Sequence, residues 1–374
     1  MIYFDNAATG GFKPRAVSDA AETVIRYLSA NPGRGSHRLA VAGERTISAC
    51  RELLAEGFSA SPDRVIFTKN CTEALNIAIF GTIKEGGHVV TTCFEHNSVL
   101  RPLNHLKNEG KISLDIVFPE KDENIAEAIA KKITDKTCLV AATTVSNVTG
   151  KALPVGLIGA LCKKRNIPFL ADGAQGAGHL PLSLSKQNIS MLAVPAHKGL
   201  YGIMGAGALI FKDDQDIKPL LFGGTGNESF NLEQPSCYPE RLEAGTLNLP
   251  AIAAFKEGAS YALKNSDIFA EKLFSATEKI VEAANATPRV KCYSRPNPSG
   301  IVALEFENFP SAEASDILNA RYDVAVRGGL HCAPLMHEYL GTKEEGLVRV
   351  SLAVQNTAGE INCFIKAMRE MAKE

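Results

Sequence analysis

From about residue 41 to 250 the chain alternates between two hydrophobic rhythms. Short apolar runs (RVIFT, HVVTT, TCLVAATTV, PFLADG, MLAVP and GALIF) are separated by longer stretches, such as GERTISACRELLAEGF and VGLIGALCKKRNI, whose apolar positions recur at helical spacing. Apolar runs of that length, bounded by turn residues, read as buried strands. Strands alternating with helices predict a mainly parallel sheet covered by helices on both faces. After about residue 251 the rhythm changes. Two consecutive helical segments, AIAAFKEGASYALKN and DIFAEKLFSATEKIVEAANA, precede strands near RVKCYS, GIVALEF and LVRVSLAV, and the helix EINCFIKAMREMA follows. That grouping predicts a smaller α+β unit. The expected division is a large α/β domain over 16–250 and a small domain built from 1–15 together with 251–374. The first forty residues place one helical stretch, PRAVSDAAETVIRYLSA, between two glycine-bearing segments.

Composition narrows the function only by exclusion. The 374 residues, 45% of them hydrophobic, can bury a large core. A net charge of −1 gives no electrostatic reason to expect nucleic acid or an anionic membrane as partner. No apolar run approaches the ~18 residues of a membrane helix, and MIYFDNAATGGF lacks the basic and apolar regions of a signal peptide. The expected location is the cytoplasm. Nine cysteines with no C-x-x-C pair fit a reducing compartment and argue against a zinc ribbon or disulfide framework, so no metal site is expected.

Candidate chemistry gathers where strands end. PFLADG closes on Asp172, at the kind of sheet edge where α/β proteins bind ligands. SMLAVPAH then delivers Lys198 into the small, apolar run KGLYGIMGAGALIF. A poorly solvated lysine is neutral more often and is nucleophilic. The pair suits opposite ends of one pyridine ring: pyridoxal phosphate needs a lysine for its aldehyde and a carboxylate for its ring nitrogen. The plainer alternative is a turn-opening Asp172 and a solvated Lys198. FTKNCTEALNIAIF opens a helix at Cys71-Thr72-Glu73, which fits either a phosphate or an ordinary cap. TTCFEHNSV puts His96 at another strand end, as a core residue or a site residue. NPGRGSH, with Arg34 and His37, is a surface turn or a loop entering a site. Arg349 is the one charge in LVRVSLAV and needs an anion, either a buried acid or a substrate carboxylate. RGGLHCAPLMHEYLGT holds Cys332 in a glycine-rich loop beside His331, five residues after Arg327. Positive neighbours favour a thiolate, so Cys332 is the best nucleophile, with Gly328 and Gly329 expected to let the loop move. Cys50, Cys138, Cys162 and Cys363 fall on apolar faces and read as packing.

ADGAQ followed by AHKGLYG resembles the signature of the fold-type I, class V pyridoxal phosphate enzymes, and among them the cysteine desulfurases. Matching segments run from FDNAAT to RVSLAVQNT, nearly the whole chain. The resemblance implies a fold-type I architecture, with a mainly parallel seven-stranded-type sheet in the large domain and pyridoxal phosphate bound through Lys198. Asp172 would face the ring nitrogen, His96 would stack on the ring, and Gln175 would meet the ring hydroxyl. Cys71, Thr72 and His197 would hold the phosphate, with Pro195 standing where the family often has a serine. Asn147, Arg349, Arg327, Arg34 and His37 would serve the substrate. Thr246, in RLEAGTLNLP, would reach the phosphate of the neighbouring subunit, making the enzyme a homodimer. Cys332 would be the active cysteine of the short R-x-G-x-H-C loop, and His96 could exchange a proton with the substrate thiol. The implied reaction turns L-cysteine into L-alanine and leaves a persulfide on Cys332 for an acceptor protein or small thiol, a sulfur mobilisation of the kind that feeds iron–sulfur clusters. A selenocysteine lyase or a cysteine sulfinate (C–S) lyase would share these residues. A class V aminotransferase would not need Cys332, and a non-enzymatic sulfur-relay scaffold would not need Lys198.

Overall fold

In the computed structural model, which describes every residue except 34, 121, 122 and 227–229, the two-residue strand β1 (Ile2–Tyr3) comes first. Seven strands then build the central sheet: β2 (Val65–Thr68), β3 (Gly87–Thr92), β4 (Ile112–Val117), β5 (Thr137–Thr143), β6 (Phe169–Asp172), β7 (Met191–Pro195) and β8 (Gly207–Phe211). Their spatial order is β2-β8-β7-β6-β5-β3-β4, and only β8 runs against its neighbours. The reason for the uninterrupted apolar runs is visible in the packing. Successive residues of a strand point to opposite faces, and here both faces are covered. Phe169, Ala171, Leu192, Val194, Ala208 and Ile210 enter one core, while Leu170, Met191, Ala193, Leu209 and Phe211 enter the other. Each fully buried side chain of this size contributes about 1.5–3 kcal/mol, so a one-residue slip of β6 or β7 would gain nothing from either face.

The expected strands RVIFT, HVVTT, TCLVAATTV, PFLADG, MLAVP and GALIF are all present within a residue or two. β4 was not anticipated. It is the sheet edge, its middle residues are only half-buried, and the sequence ISLDIV lacks the solid apolar run of an inner strand.

The C-terminal part adds β9 (Val290–Cys292), β10 (Ile301–Phe306), β11 (Val324–Ala325), β12 (Arg327–Gly329) and β13 (Leu347–Ser351). β12-β13-β10-β9 form an antiparallel sheet, and β1 pairs with β11, so the N-terminus joins this sheet's side of the molecule. Phe4, Val302, Leu304, Val348, Val350 and Phe364 share a third core there. Helices Leu249–Lys264 and Ser266–Asn285 lead into this part, and helix Ala358–Met371 closes it.

Gly328 and Gly329 lie in β12, paired to Val348 and Leu347. A Cβ on Gly328 would sit 2.3 Å from the Ser311 carbonyl oxygen, so the glycine is there for close packing. Cys363 is exposed on the outer face of the last helix instead of packed. Among the described residues, no helix is long and apolar enough to cross a membrane.

Candidate active site

Because β2, β7, β6, β5 and β3 run the same way, their C-terminal ends share one sheet edge. The loops leaving that edge carry Cys71, Lys198, Asp172, Asn147 and His96. One cavity of about 100 Å³ takes them all in, with Thr72, Gln175, Pro195 and His197 also in its wall. The site is built by topology: an open parallel sheet collects the ends of distant strands at one place.

Asp172, the last residue of β6, is buried. Its Oδ1 accepts the Ala174 N–H at 2.9 Å and the Cys71 S–H at 3.6 Å, and Oδ2 has no hydrogen bond among the described residues. Lys198 follows β7 and is half-buried. Burial pulls its pKa below the ordinary lysine value, opposed by Cys71 and Asp172 and assisted by Arg349 and Arg327. Among the described residues it is the only lysine in the cavity wall.

Helix Cys71–Thr82 starts at the cavity, capped by the Asn70 side chain, which accepts the Glu73 N–H. Gly207 makes room for that start, since a Cβ there would lie 2.8 Å from the Asn70 carbonyl carbon. Thr72 Oγ1 bonds Ser98 Oγ at 2.8 Å, and Ser98 Oγ lies 2.9 Å from His96 Nδ1. His96 caps helix Asn97–Asn108, its Nδ1 accepting the Ser98 N–H at 3.0 Å. An Nδ1 that accepts a backbone N–H carries no proton, so the neutral ring holds its hydrogen on Nε2. Burial, above all, lowers the His96 pKa and keeps the ring neutral. His197 is likewise neutral, its pKa lowered to about 4 by burial and then by Lys198 and Lys13, with Nδ1 3.1 Å from Thr9 Oγ1. Gln175 donates to the Ala7 carbonyl at 2.8 Å, leaving Oε1 and one amide hydrogen uncommitted among the described residues.

Arg349, on β13, is almost wholly buried. Its Nη1 donates to the Asn147 carbonyl at 3.0 Å and its Nη2 to Asp5 Oδ1 at 2.9 Å, while Nε is buried with no partner among the described residues. The anion this arginine demands is therefore met in part by Asp5, a residue the sequence reading did not single out. Asn147 Nδ2 donates to the His331 carbonyl at 2.6 Å and so ties the cysteine loop to the cavity wall. Cys332 itself is exposed. Its carbonyl accepts the Asn97 N–H at 2.7 Å, one residue from His96, and Arg327 Nη2 lies 3.9 Å from its Sγ. His331 and Cys332 both have positive φ, 51° and 57°. The His331 ring is buried, donates from Nε2 to the Leu347 carbonyl at 2.9 Å, and has a pKa far below the ordinary value, chiefly through burial. A neutral ring turned to β13 anchors the loop, and its low pKa makes it a weak base for the thiol beside it. Burial pushes the pKa values of Cys50 and Cys162 up to about 12.

Two expected residues stand apart. His37 is exposed and caps helix Arg38–Phe58, with Nδ1 accepting the Ala40 N–H at 3.3 Å. Thr246 is exposed in a separate cleft with Phe67, Lys69 and Leu221. Arg34 lies outside the described residues. Glu95 stands at the same strand end as His96, just before it, but is not among the residues that line the cavity. It is fully buried, accepts from Thr92 Oγ1 and the Thr143 N–H through Oε1, and has no described partner for Oε2. Burial raises its pKa to about 8, so the acid is mostly neutral at pH 7.

Pyridoxal phosphate fits this donor set on the structure's own terms. A single poorly solvated lysine, a buried carboxylate with one unpaired oxygen, and a helix start bearing a hydroxyl and flanked by a neutral imidazole supply what the aldehyde, ring nitrogen and phosphate require.

Known proteins agree with the geometry. The model of the aminotransferase class-V family matches residues 2–364. A probable cysteine desulfurase of Pyrococcus abyssi is 31% identical over 389 residues, covering 100% of this chain and 94% of that protein. The cysteine desulfurase IscS of Shewanella piezotolerans is 29% identical over 385 residues, covering 99% and 92%. The apo structure of a cysteine desulfurase from Thermococcus onnurineus NA1 superposes with a TM-score of 0.92 at 29% identity, covering 100% of this chain and 94% of that one. With fold, sheet-edge cavity and full-length similarity in agreement, the chain belongs to the class V aminotransferase family of pyridoxal phosphate-dependent enzymes.

Proposed function

We propose that the protein is a cysteine desulfurase that works as a homodimer. It takes the sulfur of L-cysteine, releases L-alanine and keeps the sulfur as a persulfide on Cys332 until an acceptor protein or small thiol collects it. The observation that carries this reading is the placement of Cys332: exposed, fixed to the cavity rim through Asn97 and His331, with a guanidinium 3.9 Å from its sulfur. An aminotransferase working in the same cavity has no use for a thiol held there.

Pyridoxal phosphate, when bound, supplies the electron sink for bond-breaking at the substrate's carbon atoms. Lys198, with its lowered pKa, carries the proton to and from the substrate Cα. Asp172 offers Oδ2 to a ring nitrogen, and Thr72, His197 and the helix start at Cys71 hold a phosphate. Arg349 takes the substrate carboxylate at its unpaired Nε edge, while Asp5 and the Asn147 carbonyl keep the guanidinium from turning. His96, with its hydrogen on Nε2, is placed to exchange a proton with the substrate sulfur. The sulfur step is a two-electron exchange. The Cys332 thiolate, held by Arg327, forms the S–S bond; the C–S bond breaks and its electron pair stays with the substrate carbon, which takes up a proton to become the methyl of alanine. L-cysteine and one thiol become L-alanine and one persulfide, and no outside oxidant is needed.

The test is product analysis with the protein supplied with pyridoxal phosphate, L-cysteine and a reducing thiol. Alanine and sulfide should form in equal amounts, and Cys332→Ser should lose both while still binding the cofactor. An α-keto acid as the main product, or alanine from Cys332→Ser at the wild-type rate, would overturn the reading. Rates with selenocysteine and cysteine sulfinate rank the substrates.

A further inference from the structure

Cys71 is a thiol in the cavity wall that the reaction above leaves unused. It opens helix Cys71–Thr82, is buried, and directs its S–H at Oδ1 of Asp172 over 3.6 Å. Burial, and next the Asp172 charge, raise its pKa well above the ordinary value, so the thiol stays protonated and can only donate. The Ala174 N–H reaches the same Oδ1 at 2.9 Å. Asp172 is 3% exposed, and its Oδ2, with no hydrogen bond among the described residues, is the oxygen left to the cavity.

We infer that Cys71 is a positioning residue: its S–H fixes the carboxylate plane of Asp172 and draws charge onto Oδ1, setting how strongly Oδ2 holds the proton of a pyridine ring. This rests on the cofactor reading above. Each hydrogen bond donated to a carboxylate stabilises its charged form and makes it a weaker base. A thiol is a weak donor, a hydroxyl a stronger one, and a methyl group none. Cys71→Ala therefore strengthens the pull of Oδ2 on a ring proton and Cys71→Ser weakens it. A residue that only fills space has no reason to produce effects of opposite sign.

The experiment uses holoenzyme loaded with pyridoxal phosphate carrying ¹⁵N in the ring, and reads the ring-nitrogen chemical shift at one neutral pH. The expected result is displacement toward the protonated-ring value in Cys71→Ala and toward the neutral-ring value in Cys71→Ser. Shifts in the same sense, or none in either variant, overturn the inference. Serine is nearly isosteric with cysteine, so should the alanine variant fail to fold, the serine variant decides alone by its sign. Asp172→Asn in the same measurement separates the two levels. If it leaves the shift unmoved, the ring does not face Asp172 and the cofactor reading falls too; if it moves the shift while Cys71 variants do not, only the role of Cys71 is lost.

Discussion

Glu95 gives the clearest pH signature of any single residue. Its pKa, raised to about 8 by burial, means that between the unfolded value near ~4.5 and about 8 the folded chain holds a proton that the unfolded chain has lost. Its contribution to stability is complete below the unfolded value and is lost as pH rises through 8, at on the order of 1 kcal/mol per pH unit. Glu95→Gln keeps the oxygen that accepts from Thr92 and Thr143 and removes the titration. The variant should melt at higher temperature than wild type at pH 8 to 9, with the gap closing toward pH 5; a gap independent of pH would show that Glu95 does not titrate. Lys198→Ala should fold, lose the absorbance of lysine-bound cofactor and lose at least about 10²-fold in activity, since no other lysine among the described residues lines the cavity. Retained absorbance would refute its assignment. Lys198 and Asp172 were legible because each breaks an apolar strand end with one charge. Asp5 was not: Arg349 demanded an anion, but only the folded chain brings residue 5 to residue 349. Asn147 was named only through the family resemblance, and its bond to the His331 carbonyl depends on a contact 184 positions away.

Among the elements, β12 sets where Cys332 sits. Its three residues pair with β13, put Arg327 opposite Arg349, and release the chain into the left-handed His331-Cys332 pair. Two like charges face each other across these strands, an unfavourable arrangement that Asp5 offsets on the Arg349 side. Gly328→Ala would press a methyl into the Ser311 carbonyl, costing about 1–3 kcal/mol and tilting β12. Denaturant unfolding should show that loss, together with slower alanine formation; wild-type stability would mean that the close approach relaxes freely. The inner strands could be read from their apolar runs because burial on both faces removes polar residues from them. β12 could not, because R-G-G carries no hydrophobic pattern and is a strand only through β13. β4 and the two-residue β1 and β11 were missed for the same reason, since pairing rather than local composition defines them.

At the scale of the molecule, one region leaves large apolar side chains in solvent. Thr246, expected to reach a phosphate, lines a cleft that excludes Lys198, and the backbone bond from the Gly245 N–H to the Gly224 carbonyl, 2.9 Å long, joins its loop to a stretch in which Phe222 is 74% exposed and Leu232 fully exposed. Large apolar side chains so exposed mark a surface for a partner, and a second copy would bring Thr246 to its neighbour's cavity. Sedimentation should give a dimer, and Phe222→Asp with Leu232→Asp should shift it toward monomer and weaken cofactor retention; a monomeric wild type with full activity would refute the shared site. The measurement that reaches the central claim most directly is the mass of the protein after brief exposure to L-cysteine. Digestion without reductant should place one added sulfur, about 32 Da for the atom transferred to the covalent intermediate, on the peptide containing Cys332. The same mass on another cysteine, or alanine formed with no sulfur retained by the protein, would contradict direct transfer to Cys332.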